Sequence, residues 1–180
     1  AVGRGRAARG DAVTGLATLA LLLAAWNPAL FLERSPGAGP RRMLGWGIAA
    51  GLVLALAAAT QPIIDLLDVS EPTFRTAAGA VIALVGARWL VGSPPRVDRG
   101  DELGHGMMDV TTPEIVAAAM AAATGGWGFS AFGVALAVAA SMLLAASSSE
   151  GAWVPWLRRL LGGLAVGLGI FLVYAGIRSV

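Results

Sequence analysis

Apolar residues in this chain come in long blocks separated by short polar punctuation, without the alternation of a half-buried strand. Six blocks stand out, at residues 13–32, 43–67, 73–91, 111–124, 129–146 and 156–177. Five are long enough to cross about 30 Å of hydrocarbon as helices, the open-chain form that satisfies every peptide group internally. The fourth is short: "TPEIVAAAMAAAT" extends only roughly 21 Å at about 1.5 Å per residue. It must recruit the preceding "GHGMMDVT" or cross only part of the membrane. Breakers such as "ERSPGAGPRR", "DLLDVSEP" and "GSPPRVDRGDELGHG" separate the blocks.

Two stretches repeat. "PTFRTAAGAVIALVG" (72–86) and "PWLRRLLGGLAVGLG" (155–169) align at an offset of 83, placing Pro72 on Pro155, Arg75 on Arg158, Gly79 on Gly162 and Gly86 on Gly169. Proline is tolerated in the first turn of a helix. An arginine one turn later reaches toward the interface, and glycines seven apart share a face that another backbone can approach. "WNPALF" (26–31) and "TTPEIV" (111–116) correspond at an offset of 85. An odd number of helices per copy forces the copies to cross in opposite senses. The expected fold is therefore all-α, with six transmembrane helices arranged as two inverted three-helix repeats. The expected division is a basic N-terminal segment at 1–12, a first repeat at 13–92, a polar linker at 93–110 and a second repeat at 111–180.

Composition supports the membrane reading. The chain is 57% hydrophobic and 13% charged, where soluble domains carry about a quarter charged residues. All 13 cationic side chains are arginine and they flank the apolar blocks, so the formal charge of +2 forms no basic face and no nucleic acid is expected as partner. The expected partners are the lipid bilayer, a small-molecule substrate, and a second copy or a larger membrane complex. Eight arginines lie on or beside the odd connections and five on the side of the termini, which places both termini outside. Trp46, Trp89, Trp127, Trp153 and Trp156 flank apolar blocks as an aromatic belt would. The N-terminal apolar run continues through "WNPALFL" without a small-residue cleavage site and reads as a span.

Nothing in the chain reads as an enzyme. There is no cysteine and a single histidine, His105, so thiolate sites and bis-histidine haem ligation are excluded and no cofactor or metal is expected. No nucleophile motif or phosphate-binding loop is present. The informative positions are polar residues set before prolines. Pro28 has no amide hydrogen, so carbonyls near residue 24 lose their partner, and Asn27 stands beside that break. Thr112 and Pro113 open a half-helix whose first amides are available to a carboxylate, and Thr111 and Glu114 have capping-box spacing. Gln61 before Pro62 completes the expected substrate pathway of Asn27, Pro28, Thr112, Pro113, Glu114 and Gln61. Asp65 and Asp68 beside it read as solvated caps, and Glu33 with Arg34 as an interfacial pair. Gly47–Gly51 and Gly163–Gly167 have the GxxxG spacing of close helix contact.

These residues carry a family resemblance. "LLDVSEPTFRTAAGAVIALVGARWLVG" resembles the third-helix region of the MarC family, "WNPALF" its first-helix Asn/Asp-Pro motif, and "LRRLLGGLAVGLGIFLVYAGI" its final helix. The likeness spans nearly the whole chain. It implies a six-helix inverted-repeat exporter of the LysE-like superfamily in a bacterial inner membrane, with small neutral amino acids as one substrate class. On that resemblance Asn27 and Pro28 take the motif positions, and Thr112 and Pro113 the repeat-related ones. The chain departs from the family where it reads "ALFLERSPG" and "AAAMAAATGG", without the usual second proline and Gly-Pro-Gly. That departure motivates an alternative, a non-transporting accessory subunit of a larger membrane assembly.

Overall fold

A computed structural model of the protein describes residues 17–34, 39–92, 102–124, 127–146 and 153–179. These residues are helical, without a strand among them: α1 (17–26), α2 (Pro28–Arg34), α3 (Pro40–Ala58), α4 (Thr60–Leu66), α5 (Glu71–Val91), α6 (Glu102–Val110), α7 (Pro113–Ala123), α8 (Trp127–Ala146) and α9 (Val154–Arg178). The basic segment expected at 1–12 lies outside the described residues. Among those described, α3, α5 and α9 are long and apolar enough to cross a membrane, and residues 17–31, 113–123 and 130–144 form shorter apolar helices. Leu44, Ile48 and Leu52 on α3 and Trp156, Leu160 and Ile170 on α9 are exposed. Apolar rows of this kind suit a hydrocarbon surround or another protein surface.

Proline sets the helix starts. Pro28, Pro40, Pro72, Pro113 and Pro155 stand at the first or second position of α2, α3, α5, α7 and α9, where a missing N–H costs no intrahelical bond. Pro62 acts differently. It cannot donate to the Ala58 carbonyl, and the second apolar block divides into α3 and α4 at Ala59. α4 ends in a Schellman turn, with Val69 N–H on the Ile64 carbonyl at 3.2 Å, Asp68 N–H on the Asp65 carbonyl at 3.3 Å and Asp68 at φ 51°. Asp65 and Asp68 are both exposed.

The residues before the fourth block are helical. Residues 102–110, assigned above to the polar linker, form α6, and Thr111-Thr112 separates it from α7. The polar letters hide a one-sided helix whose Gly106, Asp109 and Val110 are buried. It packs on α3 because glycine leaves room: a Cβ on Gly45 would lie 2.5 Å from the Leu103 carbonyl oxygen and 3.1 Å from the Gly106 Cα.

The most extensive helix pair is α5 with α9. A Cβ on Gly79 would fall 2.6 Å from the Gly169 carbonyl oxygen, and one on Gly86 would fall 2.8 Å from that of Gly162. Rising numbers on one helix meet falling numbers on the other, so the pair is antiparallel. Moving each member by the 83-residue offset exchanges the Gly79–Gly169 pair for Gly162–Gly86. The same exchange turns Leu172 against Gly79 into Trp89 against Gly162. Much of the remaining packing also runs between residues before 92 and residues after 102. α3 meets α6, α7 and α8, α2 meets α8 and α9, and α7 meets α5. The broken helices form the centre: Leu21, Leu22, Ala24 through Phe31, and Ile115 and Ala118 through Ala122 are buried.

Two expectations are corrected here. Gly47, Gly51 and Gly167 meet nothing within 4 Å, and Gly163 meets only the tip of Leu90 at 4.0 Å, so these GxxxG pairs make no close helix contact within the described chain. Spacing places two glycines on one face but does not say which way it turns. Trp46 and Trp89 are 0% and 6% exposed and belong to the interior; the Trp46 indole N–H has a buried acceptor, Asp109. Trp153 and Trp156 are exposed at the start of α9.

The glycine register sets a stability prediction. Gly79→Leu or Gly169→Leu forces two backbones apart and is expected to cost about 1–3 kcal/mol or more, whereas Gly167→Leu, facing open space, changes stability by about 0.5 kcal/mol or less. Unfolding of the detergent-solubilised chain, followed by tryptophan fluorescence, separates the two outcomes.

Candidate functional site

The first break is built around Asn27. Its N–H closes α1 on the Leu23 carbonyl at 3.0 Å, and its own carbonyl accepts from Leu30 N–H at 2.9 Å to open α2. Between those bonds the backbone turns left-handed, with φ 44°, a conformation asparagine tolerates better than most residues. The side chain is fully buried. Asn27 Nδ2 donates to the Arg158 carbonyl at 3.4 Å, which fixes the amide's orientation and leaves Oδ1 without a partner. Its neighbour Trp26 donates its indole N–H to Ser141 Oγ at 2.9 Å, and Ser141 bonds back to the Ala137 carbonyl.

The second break lacks the expected cap. Thr111 Oγ1 turns back to the Met107 carbonyl at 2.9 Å and finishes α6. Thr112 is the N-cap of α7; its carbonyl accepts from Ile115 and Val116 N–H at 3.1 Å each, but its hydroxyl makes no capping bond. The capping-box reading of Thr111 and Glu114 is therefore overturned, because Thr111 is already committed to the preceding helix. Thr112 Oγ1 is a second buried atom without a hydrogen-bond partner among the described residues. Glu114, in the first turn of α7, is 8% exposed and has no hydrogen bond or ion pair among the described residues.

Arginines of the repeat hold the far ends of the broken helices. Arg158 on α9 is 6% exposed; its Nε lies 3.2 Å from Glu33 Oε1 on α2, and its guanidinium donates to the Gly92 carbonyl at the end of α5. Glu33 is thus bound to Arg158, while the side chain of its expected partner Arg34 lies outside the described residues. Arg75 on α5 donates to Thr124 Oγ1 at 2.8 Å, at the end of α7, and stands 3.6 Å from Glu71. Each cation therefore sits near a helix C-terminus, where its charge is favourable.

Between the breaks runs a chain of aromatic contacts that sequence reasoning missed. Trp26 stacks on Phe31 with centroids 5.7 Å apart, and Phe31 meets Trp46 edge-on at 5.2 Å. Trp46 Nε1 then donates to Asp109 Oδ2 at 3.3 Å, one turn before the second break. Asp109 is also held by Arg42, through Nη2 at 2.9 Å and Nε at 3.2 Å. No described hydrogen bond or ion pair joins the Asn27 break to the Thr112 break directly. Gln61 is not brought to either: it is exposed and bonded to Asp65. Pro72 and Pro155 open α5 and α9, and Gly79 and Gly162 lie in their interface.

No protein-family model matches the chain, and no curated protein or solved structure matches it either.

The buried ion pair gives a test of the second break's support. Arg42→Met alone strands the Asp109 carboxylate and is expected to destabilise the fold by about 3–5 kcal/mol. Arg42→Met combined with Asp109→Leu removes both charges and should recover most of that loss. A double-mutant cycle on the unfolding midpoint measures the difference.

Proposed function

We propose that the protein is a multi-pass membrane transporter, an exporter of a small metabolite in the manner of the MarC family, with six crossings made by two inverted halves. One observation carries this reading. The buried side-chain atoms without a hydrogen-bond partner among the described residues belong to Asn27, Thr112 and Arg158. Two are the residues set before the break prolines; the third, Arg158 Nε, is already ion-paired with Glu33 at 3.2 Å, so the unmet groups are those of Asn27 and Thr112. An apolar core keeps unsatisfied polar groups rarely, and where it does they need a reason. A site that must bind and release a solute supplies one, since its groups are to be satisfied by cargo.

The inverted arrangement draws support from the exchange of glycine pairs under the 83-residue offset. The interlocked packing suggests which parts move. Because α2, α3 and α5 pack on helices of the second half, two rigid trios cannot rock freely. The α5–α9 pair is the frame, and the broken helices α1–α2 and α6–α7 shift against it. A small neutral amino acid is the first cargo to test. In proteoliposomes the Asn27→Ala, Thr112→Ala double variant is expected to lose at least about tenfold in flux while keeping its far-ultraviolet helicity. Undiminished flux in the folded double variant would remove these residues from the pathway.

The outward-facing GxxxG pairs favour a second reading, a non-transporting subunit whose α3 and α9 faces receive partner helices. Purification from native membranes in mild detergent discriminates. Stoichiometric retention of other membrane proteins supports the subunit reading, whereas isolation alone or as a homo-oligomer supports the transporter.

A further inference from the structure

We infer that the Asn27 break is a binding site for a small monovalent cationic group, either an alkali ion or the ammonium head of the carried molecule. The inference rests on reading the breaks as a site, and it adds the sign of what binds there. The polar groups left at the break are mainly acceptors. The Asn27 amide already gives one N–H to the Arg158 carbonyl, whereas its acceptor Oδ1 is fully buried and has no hydrogen-bond partner among the described residues. Pro28 has no N–H to offer the carbonyl of Ala24, a residue 0% exposed. α1 ends at this point, and the negative end of its dipole adds to both oxygens. Amide and carbonyl oxygens at an interrupted helix are the donor set that alkali ions and ammonium groups use.

The surroundings sharpen the assignment. The Arg158 guanidinium is directed to Glu33 and the Gly92 carbonyl, so its charge is already matched. Among the described residues no three His, Cys, Asp or Glu side chains converge, which disfavours a divalent ion that needs several carboxylates. Trp26 beside the site is 2% exposed and stacked on Phe31, which keeps bulk water away and provides an optical reporter. At the other break, Glu114 places a carboxylate in the first turn of α7.

The test is equilibrium binding to the full chain in nanodiscs, with no gradient, so a protein that binds without transporting is still detected. Sodium chloride and potassium chloride are titrated against choline chloride at constant ionic strength. Glycine and alanine are then titrated in choline alone. A saturable change in tryptophan fluorescence with an alkali salt identifies an ion site; a change with glycine or alanine only identifies an ammonium site. Asn27→Gly keeps access to the left-handed backbone but removes the acceptor, and should weaken the response at least about tenfold. Asn27→Asp keeps the oxygens, adds charge and should tighten it by about tenfold or more. Absence of any saturable response in the parent protein, or a midpoint unchanged in Asn27→Gly, overturns the site. A transport failure with binding intact would instead sink only the transporter reading.

Discussion

Two antiparallel helices meeting backbone to backbone set the geometry of everything else in this protein. Between helices in hydrocarbon there is little hydrophobic drive, so attraction comes from dispersion at close range and from polar contacts. Gly79, Gly86, Gly162 and Gly169 remove the side chains that would hold α5 and α9 apart. Once the pair is fixed, Arg158 lies at one end within reach of Glu33 and Gly92, and Arg75 at the other within reach of Thr124. The frame thus determines where the short helices α2 and α7 are held.

Much of both short helices is buried, with Asn27 fully enclosed at the first break and Pro113 exposed at the second. A continuous helix would satisfy its own peptide groups, but a break exposes some of them to surroundings that offer few partners. Local bonds repair part of the damage at both breaks: Asn27 and Thr112 each receive N–H groups of the following turn on their carbonyls. The side chains are left out of that repair. The Asn27 acceptor and the Thr112 hydroxyl have no hydrogen-bond partner among the described residues. Buried serines elsewhere fare better, since Ser130 bonds the Ala119 carbonyl and Ser141 that of Ala137. Among the described residues the polar deficit falls on Asn27, Thr112 and Arg158 Nε rather than on the core serines.

Much of this was legible in the sequence because proline and glycine act through the backbone. The Asn27-Pro28 and Thr112-Pro113 interruptions, the helix starts at Pro72 and Pro155 and the glycine register at an offset of 83 follow from rules with a single steric cause. What was not legible depends on which surfaces meet. The Arg42–Asp109 pair joins residues 67 apart, and nothing local to "MMDV" marks its aspartate as buried. A hydrophobic face inside "ELGHGMMDV" was the available signal for α6, and its charged and glycine letters concealed it. The GxxxG pairs show the same limit, since equal spacing says nothing about whether a neighbour is present.

The stretches related by the 83-residue offset share a backbone plan more closely than they share chemistry. At the 83-residue offset prolines, arginines and glycines coincide, but the arginines find different company. The Arg158 side chain is buried and faces the carboxylate of Glu33, whereas the Arg75 side chain is 36% exposed and binds a threonine hydroxyl. At the breaks an amide answers to a hydroxyl, Asn27 to Thr112. The difference has a steric origin. The packing of α5 on α9 tolerates no Cβ at Gly79 or Gly169, so its backbone contacts admit little change. The side chains set before the two prolines meet no such demand to match each other, and a buried amide at one break is answered by a hydroxyl at the other.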